Sequence, residues 1–168
     1  MKISLVGYMG SGKSRIGKAL ADRLGLRFVD LDAEIERDEQ KPISELMPIK
    51  NGLYFRKVER ETLLKVLDGD NFVLSCGGGT PCYYSNMQDI NASSNSFYLQ
   101  LSPKELASRL MNEKEKRPLI TNVADEDLLE FVAKHLFERK HFYEAATFTV
   151  RAKEEESLLE EIIKQLGK

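Results

Sequence analysis

The sequence predicts an α/β domain in which helices cover both faces of a five-stranded parallel sheet. Three observations carry the prediction. Five short runs rich in branched and aromatic residues alternate with stretches of helical periodicity, the alternation that βαβ units require. The first run leads into Gly7-Tyr8-Met9-Gly10-Ser11-Gly12-Lys13-Ser14, which matches G-x-x-x-x-G-K-[ST] at every fixed position. No internal repeat or low-complexity linker interrupts the 168 residues, a length that suits one domain, 1–168, with a sizeable core.

Residues 2–6 form the first predicted strand, and 16–24 place Ile16, Leu20 and Leu24 on one face of the first helix. Between them the glycines open backbone conformations closed to other residues, so that several N–H groups converge on phosphate oxygens. The helix that follows adds positive potential at the same point. Gly10, Ser11 and Gly12 supply the cradle, Lys13 reaches the outer phosphates as a point charge, and Ser14 offers its hydroxyl to Mg²⁺.

Gly25 caps that helix, and 26–30 reads as a second strand. Its end carries Asp30 and Asp32, at the sheet edge where open α/β proteins bind ligands; extended geometry would point both carboxylates the same way. Helical patterns over 33–39, 43–50 and 53–67, divided by Pro42 and by Asn51-Gly52, make a mostly helical insert at about 33–67. A third strand, 72–75, runs into Cys76-Gly77-Gly78-Gly79-Thr80-Pro81. Three consecutive glycines cost conformational entropy and mark a place where backbone approaches a ligand closely.

After a polar stretch, 96–101 is the fourth strand, and Ser102, Pro103 and Glu105 have the N-cap, N1 and N3 chemistry of a helix start. Residues at about 112–122 are densely charged and read as a lid. A long helix at 125–145, a fifth strand at 147–151 and an amphipathic helix at 154–166 complete the chain.

A net charge of −2 argues against a general nucleic-acid binder, so anion recognition has to come from local clusters. Cys76 and Cys82 lack C-x-x-C spacing, which argues against a zinc site or a disulfide framework. His135 and His141 have no metal-ligand spacing and read as surface or packed histidines. With a strand beginning at residue 2 and no apolar run near the ~20 residues that span a bilayer, the expectation is a cytoplasmic protein, monomeric, with no membrane or nucleic-acid partner.

A phosphate loop does not identify the phosphoryl acceptor. No guanine-reading N-K-x-D motif is present, so a small-molecule kinase reading leads over a GTPase. Five motifs then resemble the shikimate kinase family in order and approximate spacing: the loop at 7–14, Asp30-Leu31-Asp32, the F-R-x-x-E of Phe55 to Glu59, Gly77-Gly78-Gly79, and the R-P-L of Arg117 to Leu119. The resemblance implies a three-layer, nucleoside-monophosphate-kinase-like P-loop fold with strand order 2-3-1-4-5. It also implies transfer of the γ-phosphoryl group of ATP, with Mg²⁺, to the 3-hydroxyl of shikimate in the chorismate route.

Carried over by motif, Lys13, Asp32 and Arg117 are the catalytic residues, with Lys13 and Arg117 also on the nucleotide. Asp30 stands on the Mg²⁺ side, acting through water. Asp32, Arg56, Gly77, Gly78, Gly79 and Arg139 would hold shikimate, the two arginines on its carboxylate. At Arg139 the chain departs from the family's R-x-P-x-Y, with His141 where proline is usual, so helix can continue through the site. Arg109 and Arg151 lie in regions suited to adenine contacts. The rivals are a related kinase acting on gluconate, and a nucleotide-dependent binding module without transfer.

Overall fold

A strand made only of apolar and small residues can sit mid-sheet if both of its faces are covered. In β1 (Lys2–Val6), Ile3, Ser4, Leu5 and Val6 are fully buried, and Ser4 meets its hydrogen-bonding need at the Ser94 hydroxyl, 2.7 Å away. The structure, a computed structural model, describes residues 1–151 and 154–167. Around β1 stand β2 (Arg27–Asp30), β3 (Phe72–Ser75), β4 (Asn95–Gln100) and β5 (Phe148–Arg151), all parallel, in the order β2-β3-β1-β4-β5.

The two-residue period of the strands feeds two cores. Ile3, Leu5, Val73, Phe97, Leu99 and Val150 pack against α1 (Lys13–Leu24) and α8 (Glu155–Gln165). On the other face Val6, Leu74 and Tyr98 join residues of α2 (Leu31–Glu39), α3 (Ile43–Leu46), α4 (Leu53–Asp68), α5 (Asn86–Ser93), α6 (Pro103–Met111) and α7 (Leu128–Glu144). The parallel sheet, its order and its helical layers agree with expectation.

Boundaries moved where capping outweighed periodicity. Asp30 ends β2 and accepts the Ala33 N–H as N-cap of α2, so the helix begins at Leu31 and Asp32 lies in its first turn. The two carboxylates are therefore not an extended pair. The pattern at 43–50 resolves into α3 and a 3₁₀ turn, Ile49–Gly52, where Lys50 and Asn51 are left-handed. The polar stretch after the third strand conceals a 3₁₀ turn, Thr80–Cys82, and α5, while the long helix begins as a 3₁₀ turn at Asp125–Asp127. At α6 the reciprocal capping box forms between Ser102 and Glu105. The charged segment at 112–122 holds one 3₁₀ turn, Lys114–Lys116. Fully buried Ile120 and an ion pair from Lys114 to Asp125 at 2.6 Å tie it down.

Candidate active site

The phosphate loop joins β1 to α1 at the C-terminal edge of the sheet. Gly10 and Gly12 carry φ of 77° and 93°, values that side chains rarely adopt, and Gly12 is the N-cap of α1. Lys13 folds back under the loop, its Nζ donating to the carbonyls of Gly7 at 2.8 Å and Tyr8 at 3.0 Å. Burial pushes the ammonium down to about 8, a trend that the Arg117 charge reinforces and that Asp32 and Asp30 oppose. The Ser14 hydroxyl donates to Asp30 Oδ2 at 2.6 Å and lies 3.1 Å from the Ser75 hydroxyl.

Lys13, Ser14, Asp30, Asp32, Gly77, Gly78 and Arg117 line one cleft of about 190 Å³. Asp32 keeps solvent-exposed surface in this open cleft, yet the protein packed around it desolvates the carboxyl, and this, followed by the charges of Asp30 and Glu59, pushes it up to about 6 against the pull of Lys13. Arg117 is engaged by Glu113 at 3.0 Å. Exposed pairs of this kind contribute about 0–1 kcal/mol, so a phosphate can displace the carboxylate.

Arg56 and Arg139 do not line that cleft. They converge beyond it, where both of their charges reach the Cys82 thiol. Arg56 donates to Glu59 at 2.6 Å and lies over the Tyr83 ring, 4.0 Å from its centroid. The Arg139 guanidinium stands against the side chain of Tyr143. α7 runs unbroken through His141, as the missing proline allows.

The three glycines join the two regions, and at two of them, Gly77 and Gly79, a side chain would clash. A Cβ on Gly77 would stand 2.9 Å from Thr80 Oγ1, 3.0 Å from Asp32 Oδ1 and 3.3 Å from Glu59 Oε1. On Gly79 it would come within 2.7 Å of Arg56 Nη2, while Gly78 backs onto the loop at Met9 N. Gly78 also accepts the Tyr143 hydroxyl at 2.6 Å.

Glu59, the last residue of the F-R-x-x-E motif, is a site residue that the sequence alone does not assign. It is 1 % exposed, and its carboxylate takes both Arg56 and the Thr80 hydroxyl, the latter at 2.7 Å. A glutamate three residues after an arginine on one helix face was the available signal. Of the possible adenine residues, Arg109 reaches the Gly10 and Ser11 carbonyls at 3.4 and 3.3 Å. Arg151 instead lines a separate, mostly apolar cavity of about 670 Å³ with Tyr98, Leu136 and Phe137. That cavity contains none of the phosphate-loop residues.

A glycine cradle under a helix N-terminus, a buried lysine, a hydroxyl–carboxylate pair and a second carboxylate in the same cleft define a P-loop phosphotransferase. A family model described as shikimate kinase matches residues 9–167. The shikimate kinase of Flavobacterium psychrophilum is 44% identical over 151 residues, covering 89% of this chain and 88% of that protein. The crystal structure of shikimate kinase from Bacteroides thetaiotaomicron superposes with a TM-score of 0.94 at 34% identity, covering 100% of this chain and 99% of the other. The Acinetobacter baumannii shikimate kinase in complex with shikimate superposes at 0.87 and 28% identity, covering 98% and 92%. The chain belongs to the shikimate kinase family.

Proposed function

We propose that the chain transfers the γ-phosphoryl group of ATP to the 3-hydroxyl of shikimate, giving shikimate 3-phosphate and ADP for the chorismate route. The observation that carries this reading is the place of Asp32. Its carboxylate shares the phosphate cleft with Lys13 and lies across Gly77 from the Glu59 that holds Arg56. It therefore stands between a phosphate donor and the recess for an anionic, hydroxylated acceptor.

In this reading the loop amides and Lys13 hold the triphosphate, Arg56 and Arg139 hold the shikimate carboxylate, and Gly77 to Gly79 bring backbone against the ring. Asp32 orients the attacking hydroxyl and takes its proton, for which a carboxyl pushed up to about 6 is well matched. Arg117, exchanging Glu113 for phosphate, offsets charge on the transferring group, and the segment at 112–122 serves as the lid that excludes water. The helices at 33–67 form the wall of the shikimate site. The Ser14 hydroxyl and the Asp30 carboxylate, 2.6 Å apart, would hold Mg²⁺, the carboxylate through water; when bound, the ion neutralises triphosphate charge. Among the described residues no group of three His, Cys, Asp or Glu can cage a metal, which suits an ion held mostly by water and substrate phosphates. Among those residues no helix is long and apolar enough to cross a membrane, and a cytoplasmic monomer acting on small molecules is the corresponding proposal.

The test is a coupled assay of ADP release by the purified chain with ATP and Mg²⁺. Shikimate-dependent release, at far higher kcat/KM than with gluconate, is expected. Folded protein that binds ATP without shikimate-dependent release would overturn the reading.

Two further outcomes follow. Asp32 works as a carboxylate, so kcat/KM for ATP should rise with pH through about 6. Lys13 works as an ammonium, so it should fall above about 8 in the free enzyme. Saturating ATP should move both limbs upward, since bound phosphates favour the Lys13 ammonium and disfavour the Asp32 carboxylate in the same cleft. Gly79→Ala should raise the KM for shikimate about tenfold. The new methyl displaces Arg56 from Glu59 and Tyr83; a backbone φ of −95° adds no strain, but the buried Glu59 carboxylate loses its cationic partner, so the melting temperature should fall as well.

A further inference from the structure

One polar contact outside the groups assigned above links the nucleotide side of the molecule to the acceptor side. Tyr8, the second residue of the phosphate loop, is 1 % exposed, and its hydroxyl lies 2.8 Å from Nδ1 of His135 on α7. The rings meet edge to face, 5.4 Å between centroids at 83°, and Phe131 closes the other side of the imidazole at 5.5 Å. Phosphate binding does not require a phenol there, because the loop pattern leaves that position open. The same residue's carbonyl accepts from Lys13.

His135 precedes Arg139 by one helical turn, so the two share a face of α7. The Arg139 charge reaches both the Tyr8 phenol and the imidazole. α7 has no proline at His141 to fix by a backbone break where Arg139 aims. Its neighbours have to set that aim, the Tyr143 side chain among them.

We propose that Tyr8 and His135 form a strut that fixes the spacing between the phosphate loop and α7, making His135 a positioning residue for shikimate through Arg139. The proposal rests on Arg139 holding the shikimate carboxylate. Burial and the Arg139 charge keep the imidazole below its usual range, against the pull of Glu138. At neutral pH it is uncharged and pairs with a phenol in either tautomer, without setting a second cation against the guanidinium.

The test uses the full chain with Tyr8→Phe, His135→Leu, their double variant, His135→Asn and Arg139→Ala. It measures kcat, KM for shikimate, calorimetric affinity for ADP, and melting temperature. Tyr8→Phe removes a single oxygen and guards against a His135 variant that fails to fold. Each single strut variant should raise the KM for shikimate about threefold to tenfold, with ADP affinity held within about twofold. The double variant should be no worse than either single one, and His135→Asn, whose amide can stand where Nδ1 did, should restore most of the loss. Additive losses, an unchanged KM in Tyr8→Phe, or equal weakening of ADP and shikimate would each overturn the strut. If Arg139→Ala raises KM and Tyr8→Phe does not, the strut alone fails. If Arg139→Ala leaves KM unchanged, the carboxylate assignment fails and the strut with it.

Discussion

Asp32→Asn should lower kcat about 10²–10⁴-fold while ADP affinity stays near that of the parent chain. Asparagine keeps the volume of the side chain and its ability to orient a hydroxyl, but it cannot accept the proton. The lower end of the range is expected, because phosphoryl transfer passes through a loose transition state in which positioning and charge stabilisation do most of the work. Asp32 differs from Asp30 by environment rather than by chemistry. Asp30 caps α2 and receives the Ser14 hydroxyl at 2.6 Å, whereas Asp32, open to solvent in the cleft but crowded by surrounding protein and by the charges of Asp30 and Glu59, is pushed up to about 6. A pair of carboxylates whose environments hold them apart in this way divides naturally into a metal-side group and a proton acceptor. Two readouts separate this from simple disruption. The residual activity of Asp32→Asn should lose the acid limb near pH 6, and its melting temperature should not fall, because the substitution removes a charge that burial disfavours. A kcat loss below about tenfold with the acid limb intact would assign Asp32 to orientation alone.

The phosphate half of this site could be read directly from residue order because its chemistry is local. A strand, a run of glycines and a helix N-terminus are contiguous, and the geometry of Lys13 and Ser14 follows from spacing alone. The acceptor half is assembled from distant segments. Arg56 is aimed by Glu59 on its own helix, but the room it occupies is left by Gly79, and Arg139 approaches from a helix some eighty residues further along. A run of three glycines announces that something comes close without saying what: Gly77 makes room for Thr80 and two carboxylates and Gly79 for Arg56, while a side-chain carbon at Gly78 would meet only ordinary contacts. The carboxylate pair was misplaced for a local reason: a side-chain cap at Asp30 starts α2 sooner than periodicity suggests. α5 escaped detection because its buried surface is partly polar. Asn86, fully buried, spends its hydrogen bonds on the Thr80 carbonyl and Arg60, so an apolar pattern was never written there. The Tyr8–His135 contact spans 127 residues, and neither residue type signals the other.

Lys13→Met is the second large effect, with kcat/KM for ATP expected to fall about 10³-fold and thermal stability expected to hold or rise. Methionine keeps the unbranched stem but removes the charge that meets the outer phosphates. The stability sign follows from the ammonium's surroundings. Folding moves Lys13 from a solvated amine titrating at 10.5 to a buried one at about 8, so the protonated form is disfavoured in the folded state. The folded chain is therefore least favoured by this group below about pH 8, and the deficit is recovered as pH rises toward 10.5. The shift corresponds to a cost on the order of 3 kcal/mol at neutral pH, which the hydrogen bonds to Gly7 and Tyr8 offset in part. Removing the charge relieves that cost and leaves the Gly7 carbonyl without its partner, two effects of opposite sign and similar size. A residue kept for stability would lose both activity and melting temperature when replaced. Here activity should collapse while melting holds, because the loop stores an unfavourable charge where a triphosphate will neutralise it. ATP should accordingly raise the melting temperature of the parent chain more than that of Lys13→Met, and an equal rise in both would show that Lys13 does not meet the nucleotide.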